Sequence, residues 1–280
     1  MTVIAANADR YPISAQCEIL GVARSTYYWV LGHPDDGPRP DPIEADVVAV
    51  FEENRREYGA RKIKRALERG GVVASRRRIT RIMKERGLAS AYATAKFRPG
   101  RAEAGAAELP NLLSREFDGH APRTHIASDL TYVRVGARWH YVCLLVDLAN
   151  REIAGHSLGP RKDAGLVKSA FATLRFPISD IEVFHTDRGS EFNNAAIDEM
   201  LGVFGVARSL SAKGCPYDNA VVESTNRILK KELVYRRAWP DEGTLRRELN
   251  EYVWWYNNER LHSTLGYMSP VEFREAGLSL

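Results

Sequence analysis

The spacing of apolar residues changes character near residue 122. Upstream of that point it follows a helical period. In residues 11–31, "CEILGVARSTYYWV" predicts one short helix that stops at Gly21 and a second capped by Ser25. Residues 32–42, "GHPDDGPRPDP", hold four prolines, two glycines and three aspartates, and predict a linker. Beyond it Ile63, Ala66 and Leu67 stand at i, i+3 and i+4, and Gly70-Gly71 ends their helix. Ser75 caps the next helix, whose Ile79, Ile82 and Met83 form an apolar stripe and whose Gly87 suits the position after the last turn. Helix, short turn, helix with an arginine-rich first turn is the layout of a helix-turn-helix DNA reader. It is equally the layout of a plain helical hairpin. Residues 95–118 predict a second linker.

Downstream, the period shortens. "RTHIASDLTYVRV" (123–135) is rich in Thr, Val and Tyr, as strands are. "WHYVCLLVDL" (139–148) is almost continuously apolar and predicts an interior strand. A third strand is predicted over 151–159, a helix over 163–174, a strand over 180–187, a helix over 194–205, a strand over 206–210 and a helix over 219–233, with Asp218 at its cap. Three strands followed by alternating helices and strands predict a mixed α/β sheet with helices on its faces.

Charge separates the two regions. Net charge is only +4, yet residues 51–101 hold 16 Lys and Arg against 5 Asp and Glu, and the remainder 24 against 31. The basic block is a candidate footprint for a polyanion. Cys17, Cys143 and Cys215 form no C-x-x-C pair, which argues against a disulfide framework or a thiolate zinc site and for a reducing compartment. No apolar run approaches the roughly 20 residues of a membrane span, and "MTVIAANADRYP" lacks the basic and apolar regions of a signal peptide.

Within the strand-rich half, three acids fall on three separate predicted elements: Asp129 in the first strand, Asp187 at the end of the fourth, and Glu223 on the last helix. Oxygen-only ligands suit a hard cation such as Mg²⁺ or Mn²⁺. Two such ions about 3.5–4 Å apart serve phosphoryl transfer. With 36 acids in the chain, spacing alone does not select this trio. Asp147 and Glu191 are rivals. Asp147 is expected to open the turn "DLANRE", and Glu191 to face solvent or an arginine. His185 is expected to pack within its strand. Thr131 and Tyr132 either support Asp129 or merely pack.

"SDLTYV" (128–133), "HTDRGSEF" (185–192) and "SAKGCPYDNAVVESTNRILKKEL" (211–233) resemble the three acidic motifs of the integrase core in insertion-sequence transposases. Thirty-five residues separate Asp187 from Glu223, as in that family's D-D-35-E pattern, and Lys230 matches the basic residue that closes it. "EYGARKIKRALERGG", "RITRIMKERGL" and "LGVARSTYYW" resemble its helix-turn-helix and N-terminal regions, and "WWYNNERLHSTLGYMSPVEF" (254–273) its C-terminal tail. The chain most resembles the second-frame product of the insertion-sequence-three family.

The resemblance implies a ribonuclease-H-like mixed sheet with flanking helices, preceded by a small all-α region. The boundaries expected are a helical segment over 1–31, a linker over 32–42, a helix-turn-helix region over 43–94, a linker over 95–118, a catalytic core over 119–237 and a helical tail over 238–280. It implies a DNA transposase that cleaves 3′ ends and transfers strands with Mg²⁺ or Mn²⁺, two ions held by Asp129, Asp187 and Glu223, with Lys230 beside them. Expected DNA contacts are Arg61, Lys62, Arg76, Arg77, Arg78, Arg81 and Lys213. Expected partners are duplex DNA (element ends and target), further copies of the chain, and a first-frame product or a frameshifted fusion with it. The expected location is the bacterial cytoplasm, at the nucleoid. A non-catalytic DNA-binding regulator of the full transposase is the alternative. A plain nuclease needs neither the helical region nor the tail. In the tail, Trp254 and Trp255 are expected to pack, while Arg260 and His262 are left between packing and DNA.

Overall fold

The computed structural model describes residues 2–33, 41–93, 110–212 and 216–280. The expected contact Lys213, Cys215 and most of both expected linkers lie outside the described residues. Two compact units are formed, residues 1–46 and 47–280.

The first unit holds three short helices, α1 (Thr2–Ala6), α2 (Ile13–Ile19) and α3 (Arg24–Gly32), around Ile4, Cys17 and Tyr27. The turn after α2 uses Gly21 at φ 63°, a left-handed conformation that glycine adopts freely. Ala23, not Ser25, takes the cap of α3, and no side chain bonds there.

The second unit begins within α4 (Glu44–Glu53), and its helical part continues with α5 (Ala60–Arg69) and α6 (Arg76–Glu85). Ser75 accepts a hydrogen bond from the Arg78 amide at 3.2 Å, as an N-cap does. The predicted stripe Ile79, Ile82 and Met83 is buried, facing Ile63 and Leu67 of the same core. Burying one face of α6 turns Arg76, Arg77, Arg81 and Lys84 outward together.

The sheet contains β1 (His125–Val135), β2 (Arg138–Asp147), β3 (Ile153–Gly159), β4 (Val183–Thr186) and β5 (Ala207–Leu210) in the order β3-β2-β1-β4-β5. β2 runs antiparallel to both β1 and β3, whereas β4 and β5 run parallel to β1. Helices α7 (Ala164–Phe171) and α8 (Ala195–Val203) pack Val167, Phe171, Ile197 and Leu201 on Ile126 and Phe184. Helix α9 (Ala220–Glu232) lies against β1 and β2, followed by α10 (Glu242–Asn258) and α11 (Pro270–Glu275). This five-stranded mixed sheet with flanking helices is the ribonuclease-H-like arrangement that the motifs imply.

The tail is fastened by a buried polar knot. Arg260 of the segment after α10 is 4 % exposed and meets Glu232 of α9, 2 % exposed, at 2.7 Å and 2.9 Å. Tyr252 and Tyr92 also donate to Glu232, at 2.9 Å and 2.5 Å. Tyr58 accepts the Leu261 amide at 2.9 Å, which ties the helical region to the same place. His262 is buried beside the Arg260 guanidinium, and burial and that charge hold its imidazole well below the usual range. Arg260 and His262 are therefore packing groups. Trp255 is buried as expected, but Trp254 is 54 % exposed. The period of α10 turns it away from the core.

Candidate active site

The site is set by strand register. β1 and β4 pair in parallel from His125↔Val183 to Ser128↔Thr186. The next residue on each strand is an aspartate, so Asp129 and Asp187 emerge side by side from strands about 4.8 Å apart. Pairing on this side of β1 stops at Ser128, which frees the carboxylates from the ladder. The Asp129 carboxylate is pushed up to about 7, first by burial and then by the neighbouring Asp187 charge; hydrogen bonds from Asn226 and the Leu130 amide oppose the shift, and Glu223 adds to it.

Helix α9 brings the third acid. Its N-terminus is pinned by Asn219 Nδ2 on the Ser128 carbonyl at 3.1 Å, and its next turns by Asn226 Nδ2 on Asp129 Oδ2 at 3.0 Å. Glu223 stands between these two anchors, four residues after one and three before the other, on the same face. Its carboxyl is raised by burial; Arg227 opposes the shift and Asp187 adds to it. The expected cap Asp218 does something else. It is 2 % exposed and accepts bonds from Arg115, Asn111 and the Ala212 amide, while Asn219 takes the cap position.

Lys230 falls one helical turn beyond Asn226. Its ammonium lies 4.4 Å from the Tyr132 ring centre, and burial lowers its proton affinity while Asp129 raises it. Asp187 Oδ1 accepts the Gly189 amide at 2.9 Å, so the turn after β4 fixes that carboxylate. Among the described residues, no three His, Cys, Asp or Glu side chains are gathered tightly enough to enclose an ion. The trio shares one electrostatic neighbourhood rather than a closed cage.

The rivals sort differently than expected in one case. Asp147 is 1 % exposed, accepts the Ala149 and Arg123 amides at 3.0 Å and 2.7 Å, and serves its turn as foreseen. Glu191 does not face solvent. It is 3 % exposed, one oxygen meets Lys162 Nζ at 3.0 Å, and the other has no partner. A methyl group on Gly189 would come within 2.6 Å of that carboxyl, so the turn folds Glu191 beneath itself. Burial opposes the charge of Lys162, but Glu191, then Asp187 and Asp129, hold the ammonium above its ordinary range. Lys162 thus belongs to the same neighbourhood. It was missed because it stands in a loop with no motif around it. Asn226 was missed as well, although its i+3 spacing from Glu223 was a usable signal.

His185 is fully buried and bonds Ser209 at 2.8 Å. Burial pushes its imidazole down to about 4, so it is a packed strand residue, as expected. Thr131 is buried, whereas Tyr132 is 54 % exposed and its ring meets Lys230 rather than Asp129. Of the expected DNA contacts, Arg61, Arg76, Arg77 and Arg81 are exposed and Arg78 is half-buried. Lys62 turns inward instead. Its ammonium is buried without a hydrogen-bond partner, 4.9 Å from the Tyr58 ring centre, and burial pushes it down to about 7. It leaves the set of DNA contacts on that ground.

An HTH-like domain family matches residues 39–96, and two Integrase core domain families match residues 119–216 and 204–270. The transposase InsF for insertion sequence IS3A of Escherichia coli (strain K12) is 31 % identical over 277 residues, which covers 96 % of this chain and 96 % of that one. The chain belongs to the IS3 family of transposases. The probable transposase for insertion sequence element IS1353 of Shigella flexneri is 34 % identical over 265 residues, 92 % of this chain but 51 % of that one. The IS3-family chain thus spans about half the length of that relative. The HTLV-2 integrase catalytic core domain in complex with magnesium aligns with a TM-score of 0.45 at 18 % identity, over 55 % of this chain and 98 % of that one. Among the described residues no helix is long and apolar enough to cross a membrane.

Proposed function

We propose that this IS3-family transposase uses Asp129, Asp187 and Glu223 to hold Mg²⁺ or Mn²⁺, cleaves the 3′ end of its element and joins that end to target DNA. The observation that carries the proposal is the parallel register that ends in two adjacent aspartates facing α9. The donor set fits a hard cation. All three groups are carboxylates, and burial and mutual repulsion oppose the charge on Asp129 until a cation neutralises it. Bound there, a pair of divalent ions supplies an activated nucleophile and a stabilised leaving oxygen. The chain's own part is to orient. Asn226 and the Leu130 amide fix the Asp129 oxygens, and the Gly189 amide fixes Asp187. Lys230 and Lys162 stand beside the carboxylates as point charges for a phosphate. The 3′-end cleavage needs water as nucleophile, and strand transfer needs the freed 3′-hydroxyl, so one site serves both steps in turn.

The exposed face of α6, and Arg61 of α5, are proposed to hold duplex DNA through phosphates. Replacing Arg76, Arg77 and Lys84 with alanine should lower the slope of log affinity against log salt by about two to three, at roughly 0.9 per phosphate lost, and leave the fold intact. An unchanged slope would make these residues a solvated surface. Further copies of the chain, and a first-frame product or fusion, are proposed as partners on DNA.

Glu191 carries a second test. Glu191→Gln keeps the side chain's shape but releases Lys162 from its place beside Asp187. The expected result is at least a tenfold fall in nicking with the melting temperature held, because an amide is less costly to bury than a carboxylate and the half-exposed Lys162 can return to water. A rate within twofold of the parent would reduce Glu191 and Lys162 to packing.

A further inference from the structure

The β1–β2 hairpin runs beyond the rest of the sheet and has two different faces. Thr131, Val133, Val135, His140 and Val142 are buried on one. The other would ordinarily be polar, because an antiparallel ribbon with one packed face turns the alternate residues to water. Here it carries Tyr132 and Trp139, which are 54 % and 49 % exposed. Their rings meet edge to face with centroids 5.3 Å apart. Arg134 pairs across the strands with Trp139 and lays its guanidinium 5.6 Å from that ring. Lys230 reaches Tyr132 from α9 at 4.4 Å. Tyr235, 62 % exposed, stands near Tyr132.

Large exposed rings grouped together mark a contact surface rather than chance exposure. The cations among them select the partner. Away from its ends a paired duplex offers phosphates and groove edges but no free ring face, so a surface that binds only duplex interior has no use for these aromatics. Single-stranded nucleic acid offers both a base to stack and a phosphate for the adjoining lysine or arginine. Position narrows the choice further, because Lys230, one turn of α9 beyond the Asn226 that bonds Asp129, reaches the Tyr132 ring. The platform is one side chain away from the carboxylates. On the basis of the transposase reading, we propose that Tyr132 and Trp139 stack an unpaired nucleobase of the DNA next to the phosphate being cleaved, with Arg134 and Lys230 on its backbone. The site therefore works on an end whose last bases have come apart.

The test uses the full chain carrying Glu223→Gln, which is proposed to bind DNA without cutting it. The probes are a blunt oligonucleotide duplex and the same duplex with a three-nucleotide unpaired tail containing 2-aminopurine. The parent should prefer the tailed duplex by about tenfold and quench the 2-aminopurine. Tyr132→Leu with Trp139→Leu should abolish the preference and the quenching while affinity for the blunt duplex and the melting temperature are kept. Trp139→Phe, which retains a ring, should keep most of both. Equal binding of the two probes by the parent would overturn the proposal, as would a preference that survives the double leucine variant. A double variant that only loses self-association, with tail preference intact, would overturn it too and make this face a contact between copies. Blunt-duplex binding and Mg²⁺-dependent nicking by the unmutated chain test the transposase reading separately, so the two can fail independently.

Discussion

Asp187→Asn should lower DNA nicking by about a thousandfold or more, equivalent to roughly 4 kcal/mol in the barrier. The amide keeps the shape of the side chain and its bond from the Gly189 amide, but it no longer carries the charge that would hold a cation. Asp129→Asn and Glu223→Gln should lose as much. Each of the three should melt at the same temperature as the parent or higher. Asp129 is the clearest case, because its carboxylate is opposed by burial and by Asp187, the neutral amide relieves both, and Asn226 can turn its own amide to offer the new donor its Oδ1, which has no hydrogen-bond partner. Asp147→Asn is the control and should do the reverse. Both of its oxygens accept backbone amides, so the amide turns one acceptor into a donor facing a donor. That costs about 1–3 kcal/mol of stability and leaves nicking within about tenfold. The readouts are the nicking rate on a labelled duplex and the melting temperature of each variant. A normal rate in any trio variant, or loss of nicking from Asp147→Asn at a temperature where it is folded, would sink the assignment.

The second large effect is on folding. Arg260→Met removes the guanidinium that meets Glu232 at 2.7 Å and 2.9 Å, and strands a carboxylate that is 2 % exposed. Breaking one half of a buried pair costs about 3–5 kcal/mol. In a unit of this size that should lower the melting temperature by about 10 °C. Replacing both partners with leucine should recover much of the loss, because neither charge is then left alone. If Arg260 instead gripped DNA, the methionine variant would keep its melting temperature and lose only DNA affinity.

These two outcomes rest on features that were unequally legible in the sequence. The strands and helices of the core could be read because each has its own period: alternation for β1, an unbroken apolar run for β2, and i, i+3, i+4 spacing for α6. Asp129, Asp187 and Glu223 could be read as a trio only through the resemblance. The register that aligns the two aspartates is a long-range property, and no local pattern encodes it. Glu191 shows where local reasoning fails. An acid two residues after a glycine in a turn ordinarily faces water, yet the close approach of Gly189 folds it inward onto Lys162, 29 positions upstream. Asp218 fails for the same reason, since Arg115 and Asn111 draw it away from the helix it precedes. The role of Arg260 depended on Glu232 and on Tyr92, which lies 168 residues away in sequence.

The most direct measurement is a divalent-cation titration of nicking on a labelled duplex that carries the element's terminal repeat, with the proposed first-frame partner added. The account predicts no nicking in chelator and saturating activity with Mg²⁺ or Mn²⁺. It predicts binding without appreciable cleavage in Ca²⁺, whose coordination shell is larger and looser. The nicked product should bear a 3′-hydroxyl that then joins to a second duplex. Nicking that persists in chelator, or that proceeds equally well in the Asp129→Asn chain, would contradict it.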